Sequence, residues 1–213
     1  MKMITHFTRL AILSASLFIY PLGSMSANAA DELTVLLDWF VNPDHAQLII
    51  AQEKGYFKEV DLDVTLIAPA DPNDPPKLVA AKQFSLAISY QPQLHVLVSE
   101  DLPLTRIATL VATPLNSLVV LRDGPIKSIP DLKGRKIGYS VGGFEDALLD
   151  AMLGKYGLKI DDVELINVNF SLSPALISGQ VDAVIGAFRN FELNQMQIVN
   201  APGRAFYPEE EGV

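Results

Sequence analysis

The sequence predicts an α/β fold in which two lobes, each a parallel-type sheet with helices on both faces, meet across a ligand cleft. Three observations carry this reading. From Asp31 onward, short apolar runs alternate with helical patterns, as parallel strands joined by crossover helices require. The stretch Thr113-Pro114-Leu115-Asn116 separates two such alternating blocks. Four loops at the carboxyl ends of predicted strands carry aromatic, amide and carboxylate side chains, on the edge where open α/β sheets bind ligands.

The first thirty residues have a different character. Lys2 and Arg9 give a basic start, Leu10 to Leu22 is nearly all apolar, and Ala27-Asn28-Ala29 is a small-x-small site. This is the pattern of a cleavable secretory signal peptide, with an apolar run too short for a comfortable membrane span; an uncleaved anchor is the alternative. No cysteine follows the run, so a lipoprotein anchor is excluded. The leader holds two basic residues and no acid, so its removal leaves a chain more acidic than the whole-chain charge of −9. Such a balance argues against nucleic acid or anionic membrane as a partner. With zero cysteines, disulfides, thiol nucleophiles, Cys-ligated zinc and iron–sulfur clusters are ruled out.

The elements follow in order. Leu33–Leu37 reads as a buried strand, and the break at Asn42-Pro43 opens a helix from Asp44, its expected cap, to Gly55, its stop. Leu62–Ile67 alternates as a second strand. Asp71-Pro72-Asn73-Asp74-Pro75-Pro76 is a turn-rich loop before a helix at Lys77–Lys82, with prolines where no backbone donor is needed. Phe84–Ser89 is a third strand, followed by Tyr90 and a helix at Pro92–Ser99. Leu104–Ala112 and Ser117–Arg122 are strand-like. Ser128–Gly134 is a capped helical turn, Lys136–Ser140 a strand, and Ser140-Val141-Gly142-Gly143 turns into a helix ending near Gly157. Val163–Val168 and Asp182–Ala187 are strands flanking a helix that stops at Gly179. The expected division is a signal peptide (1–30), lobe one (31–113), lobe two (114–190) and the start of a return segment toward lobe one (191–213), with the rest of that segment expected to be missing.

Trp39, Asn42, His45 and Tyr90 fall on lobe one, and Ser140, Gly142, Gly143 and Glu192 on lobe two; loops so placed suit a cleft at a lobe junction. Trp39 and Tyr90 offer flat faces that can sandwich a planar ring. Asn42, His45 and Glu192 supply directional donors and acceptors, and a carboxylate can accept from an exocyclic amine or pair with a protonated ring nitrogen. Ser140 to Gly143 ends at a helix amino terminus, where free N–H groups favour an anion or a carbonyl-type oxygen. Each feature has a plainer explanation: Trp39 as a core aromatic, the glycine pair as a tight turn, Glu192 with Arg189 as a surface ion pair. Catalytic motifs are missing: there is no G-x-S-x-G elbow, H-E-x-x-H or Walker loop. His95 falls mid-helix, and Asp38, Asp44 and His45 are a thin ligand set for a metal. No resident metal or cofactor is expected.

Leu37-Asp38-Trp39 with Asn42-Pro43-Asp44-His45, then Ala51-Gln52-Glu53-Lys54-Gly55-Tyr56-Phe57, resembles the thiamine-pyrimidine-precursor branch of the periplasmic solute-binding proteins of ABC importers. Ser128–Gly134 with Lys136-Ile137-Gly138 is similar to a turn widespread in two-lobed binding proteins, as is Asp182–Ala187 with Glu192 to the family's return segment. The Gly-Tyr-Phe and Asp-Leu-Lys-Gly motifs are shared with sulfonate and nitrate binders, so the Asp-Trp…Asn-Pro-Asp-His stretch is the more specific one. One departure is Gln47, where the family pattern suggests a glycine in the pocket floor.

The resemblance implies a two-lobed periplasmic-binding-protein (type II) fold that closes on a pyrimidine thiamine precursor and delivers it to an ABC permease from the periplasm. By position, Trp39 and Tyr90 would stack on the ring, and Asn42, His45 and Glu192 would bind its polar edge. Ser140, Gly142 and Gly143 would close from the second lobe. Neither nucleic acid nor membrane insertion after signal cleavage is expected. Truncating Trp39 is expected to weaken binding and leave the fold intact. The family also includes a fungal and plant enzyme that makes the pyrimidine, but its cysteine-rich motif cannot exist in a chain without cysteine. A sulfonate- or nitrate-type receptor is a further alternative; it would want a basic anion clamp.

Overall fold

The architecture is seen in a computed structural model, which describes residues 29–213; all but the last two residues of the predicted signal peptide lie outside it. Strand β1 (Asp31–Leu36) pairs in parallel with β2 (Leu62–Ile67) and β3 (Leu86–Ala87), in the order β2-β1-β3. Helices α1 (Ala46–Lys54), α2 (Pro75–Ala80) and α3 (Gln91–Ser99) connect and follow these strands. The cap of the turn before α1 is Asn42 rather than Asp44: the Asn42 side chain accepts from the Asp44 N–H at 2.8 Å. Pro43 takes the first position because it needs no donor there. Gly55 ends α1 in the left-handed region, as expected for a C-terminal glycine.

The second sheet has the order β6-β5-β7-β4-β8, built from β4 (Asn116–Leu121), β5 (Lys136–Tyr139), β6 (Glu164–Asn167), β7 (Ala183–Phe188) and β8 (Gly203–Phe206). Helices α4 (Glu145–Gly154), α5 (Leu172–Ile177) and α6 (Glu192–Ile198) cover it. Two apolar clusters occupy its two faces. Leu118, Val120, Ile137 and Ile185 pack with Leu149 and Met152, whereas Val119, Val184 and Ala187 pack with Leu176 and Met196. Neighbouring residues of β4 thus point to opposite cores, as pleating demands. No helix among the described residues is long and apolar enough to cross a membrane.

The fold is the expected α/β class, with three local differences. The second sheet is mixed: β4 runs antiparallel to both β7 and β8. Asn116, where β4 begins, lies opposite Phe188, where β7 ends, so the chain enters this sheet at its ligand edge and must run against its neighbours. Residues 191–206 do not return to the first sheet; α6 and β8 complete the second, where β8 finds free backbone groups along β4. Leu104–Ala112 forms no strand, and Ile107 is 75% exposed. An apolar run needs a neighbouring ladder to become a strand, and none of the described strands pairs with this one.

Candidate binding site

The carboxyl ends of β1, β5 and β7 bring their loops to one junction between the sheets. Trp39 crosses it, joining the cluster of Val119, Val184 and Met196 on the second sheet, with its ring edge-on to Phe170 at a centroid distance of 4.8 Å. Tyr90, from the loop after β3, lies against Phe144 at 5.4 Å and Phe188 at 5.8 Å. Polar bonds close the flanks. Asn190 Nδ2 donates to Asp44 Oδ1 at 2.6 Å, and Asn73 Nδ2 donates to the Ser140 carbonyl at 3.2 Å while its Oδ1 accepts from the Gly142 N–H at 3.0 Å.

Trp39, Asn42, Tyr90 and Glu192 line one cavity at this junction, together with Glu145 and Phe191. Its volume is about 10 Å³, close to the space of one water. The other sequence-predicted residues stand elsewhere. His45 is 1% exposed and sits behind the cavity. Its Nε2 lies 2.8 Å from Asp38 Oδ1, and its Nδ1 accepts from the Asn42 N–H at 3.3 Å. Both ring nitrogens are thus engaged in holding the Trp39 loop. Ser140 is fully buried, with its hydroxyl donating to the Asn169 carbonyl. The amide donors expected to meet an anion are occupied internally. Ser140 N and Val141 N donate to Glu145 Oε2 at 2.8 and 3.1 Å, and Gly142 N is bonded to Asn73. Gly142 and Gly143 line a second cavity with Asn73, Lys77 and Phe144. Gln47 reaches outward to the Leu110 carbonyl and forms no part of the floor.

Glu192 makes no surface ion pair with Arg189. It is buried and accepts from the Phe188 N–H at 2.6 Å, while Arg189 pairs with Glu209 at 2.7 Å and covers the Tyr207 ring. Glu145, which sequence reasoning missed, is the second acid in the wall. At the first position of α4 it reads as an ordinary first-turn carboxylate. The available signal was Gly186, inside the apolar run of β7, since a strand glycine often marks a close approach. Gly186 has φ 92° and a Cβ there would overlap the Glu145 carboxylate.

Burial sets the electrostatics. It pushes Glu145 up to about 8 against the pull of the Ser140 and Val141 N–H groups, with the Glu192 and Asp146 charges adding to the rise. Burial likewise raises Glu192 to about 7, against the Phe188 N–H and with a push from Asp44. Lost hydration, then the Asp38 carboxylate, holds the Tyr90 hydroxyl well above its usual range. In the unfolded chain both glutamates release their protons near the ordinary 4.5. Between that pH and about 8 the folded state therefore binds more protons, and stability falls as pH rises. The thermal midpoint is expected to be higher at pH 5.5 than at pH 8; a midpoint that rises over this interval contradicts the burial of the two acids.

Residues 42–213 match the family model described as NMT1/THI5 like. The chain belongs to the NMT1/THI5-like family. This NMT1/THI5-like chain is 59% identical over 185 residues to a Haemophilus influenzae protein named for thiamine biosynthesis, covering 87% of the chain and 59% of the relative. It is 35% identical over 208 residues to the formylaminopyrimidine-binding protein of Halalkalibacterium halodurans, covering 95% and 63%. It is also 35% identical over 161 residues to a 4-amino-5-hydroxymethyl-2-methylpyrimidine phosphate synthase of Aspergillus parasiticus, covering 74% and 46%. The chain thus spans about three fifths of the length of the first two relatives. Among solved structures, the periplasmic aliphatic sulphonate binding protein SsuA of Escherichia coli superimposes with a TM-score of 0.61 at 16% identity, over 82% of this chain and 56% of that one. The fold is that of the periplasmic binding proteins.

Proposed function

We propose that this chain is the periplasmic substrate-binding subunit of an ABC importer and that it takes a pyrimidine precursor of thiamine, an aminopyrimidine such as formylaminopyrimidine or hydroxymethylpyrimidine. The observation that carries the reading is the shared cavity, with the Trp39 and Tyr90 rings beside the buried Glu192 carboxylate. The flat face of Tyr90 suits a planar heterocycle, the indole edge of Trp39 closes the wall beside it, and a carboxylate suits the heterocycle's amine. The relative named as a formylaminopyrimidine-binding protein supports the same class of ligand.

A cavity of about 10 Å³ is too small for a ring, so the two sheets must part for ligand to enter. Tyr90 then leaves Phe144 and Phe188, and the ring takes up their stacking. Reclosure remakes the Asn73 and Asn190 bonds around the ligand. Ligand that bridges both lobes favours the closed form by its differential affinity, and the closed form docks on the permease.

The fungal synthase relative makes an enzyme the second reading. It fits less well because His45 already spends both ring nitrogens inside the protein. A sulfonate receptor is disfavoured by two carboxylates in the wall, which repel an anion.

Calorimetric titration with an aminopyrimidine, its counterpart lacking the amine, and taurine tests the proposal. Glu192→Gln is expected to cost the aminopyrimidine about tenfold or more, the scale of a hydrogen bond to a charged group, and to leave the plain ring nearly unchanged. Equal losses for both rings, tight taurine binding, or conversion of the pyrimidine during titration would each contradict it.

A further inference from the structure

Glu145 has no counter-ion among the described residues, yet the fold has been shaped to admit it. Strand β7 gives up a side chain at Gly186, and the carboxylate fills the place where that Cβ would stand. Its Oε2 is anchored by the Ser140 and Val141 N–H groups, while its Oε1 lies against Gly186, which itself lines the cavity. Glu192 is arranged in parallel at the start of α6, with its Oε2 anchored by the Phe188 N–H. Two helices thus each present a backbone-tethered carboxylate to one small space.

An independent observation points to a ligand. Trp39, in the same wall, has its indole Nε1 buried without a hydrogen-bond partner among the described residues. An orphaned buried donor costs stability unless something satisfies it. The charged and titratable groups facing the two glutamates are Asp146, Asp44 and the Tyr90 hydroxyl, with Asp38 behind Tyr90 and His45 behind Asp38. No Lys or Arg is among these neighbours.

We propose that Glu145 is a ligand-contacting residue, and that with Glu192 it selects rings bearing an amidine-type edge, an exocyclic amine beside a ring nitrogen that accepts a proton. Trp39 Nε1 donates to a second acceptor on the ring. This rests on the aminopyrimidine reading above and adds the residue and the protonation state of the bound ligand. Closed without ligand, the carboxyl pair keeps a proton near neutral pH, because two buried like charges do not both ionise readily. When a neutral aminopyrimidine enters, the carboxyl O–H bond breaks and an N–H bond forms on the ring. The complex then holds a cationic edge against two carboxylates, and no proton is exchanged with solvent. Above the titration of the pair, that proton must come from solvent instead.

The test uses the wild-type chain and Glu145→Gln, titrated with 4-amino-5-hydroxymethyl-2-methylpyrimidine and with its analogue carrying hydrogen in place of the amine. Gln keeps a carbonyl oxygen for the Ser140 and Val141 N–H groups, so the loop is retained. The variant is expected to lose about tenfold in its preference for the amine-bearing ring, the scale of one charge-assisted hydrogen bond, with the analogue changed less than about threefold. A preference unchanged in the variant overturns the assignment while leaving the receptor reading intact. Wild-type protein that binds neither ring overturns that reading, and the assignment with it. A second measurement needs no variant: calorimetry in two buffers of different ionisation enthalpy should show about one proton taken up on binding at pH 9 and about none at pH 7. The same proton count at both values overturns the shared-proton step.

Discussion

A Trp39→Ala variant is expected to lose about 3–5 kcal/mol of stability, the usual cost of deleting a buried aromatic, and with it roughly 10 °C of thermal midpoint. Of the two roles the sequence offers Trp39, a pocket aromatic would spare the fold on removal, whereas a core aromatic predicts this loss. Trp39 is only 7% exposed, and it packs with Val119, Val184 and Met196 on the second sheet while its own backbone follows β1. Deleting it opens a hole at the junction that both lobes share. Ligand affinity falls for the same reason, so the alanine variant cannot separate packing from recognition. Trp39→Phe can: the volume change is modest, and the lost Nε1 has no partner among the described residues. Stability is expected to fall by less than about 1.5 kcal/mol, and aminopyrimidine affinity by about five- to tenfold, one hydrogen bond's worth. An unchanged affinity in a stable Trp39→Phe protein would show that the indole N–H does not reach the ligand.

The second large effect is expected at Gly186. Alanine there must adopt φ 92° and place its Cβ into the Glu145 carboxylate. The first demand costs about 1 kcal/mol or more, and overpacking a tight interior adds about 1–3 kcal/mol. The carboxylate is the part able to move, and moving it strips the Ser140 and Val141 N–H groups of their acceptor. The loss should therefore be coupled to residue 145. Gly186→Ala in a Glu145→Ala background is expected to cost much less than in the wild-type chain, read as a non-zero coupling energy from denaturant midpoints. Additive losses would mean that Gly186 is required for another reason.

Much of the fold was legible in residue pattern. Leu62–Ile67 forms a strand with the limits that its alternation sets, and Gly55 stops α1 because glycine, without a Cβ, enters the left-handed region at no steric cost. Pairing was less legible. The apolar run 117–122 identifies a strand but holds no information on direction, and the antiparallel run of β4 follows from where the chain enters the sheet. The run 104–112 misled because periodicity records apolar spacing, not the presence of a ladder. At the site, strand-end placement brought Trp39, Asn42, Tyr90 and Glu192 to one cavity. It could not show that His45, only three residues from Asn42, turns inward to Asp38. Nor could it show that the free amides after β5 were already bonded to Glu145 and Asn73, because those bonds depend on packing between elements distant in the chain.

The most direct measurement follows from the single tryptophan of the sequence, Trp39, which lies in the cavity wall. Emission and thermal midpoint are recorded while the chain is titrated with an aminopyrimidine thiamine precursor, and separately with taurine. The account predicts a saturable change in Trp39 emission and a midpoint that rises with concentration for the aminopyrimidine alone. A cooperatively melting chain that responds to taurine, or to no pyrimidine at all, would contradict it.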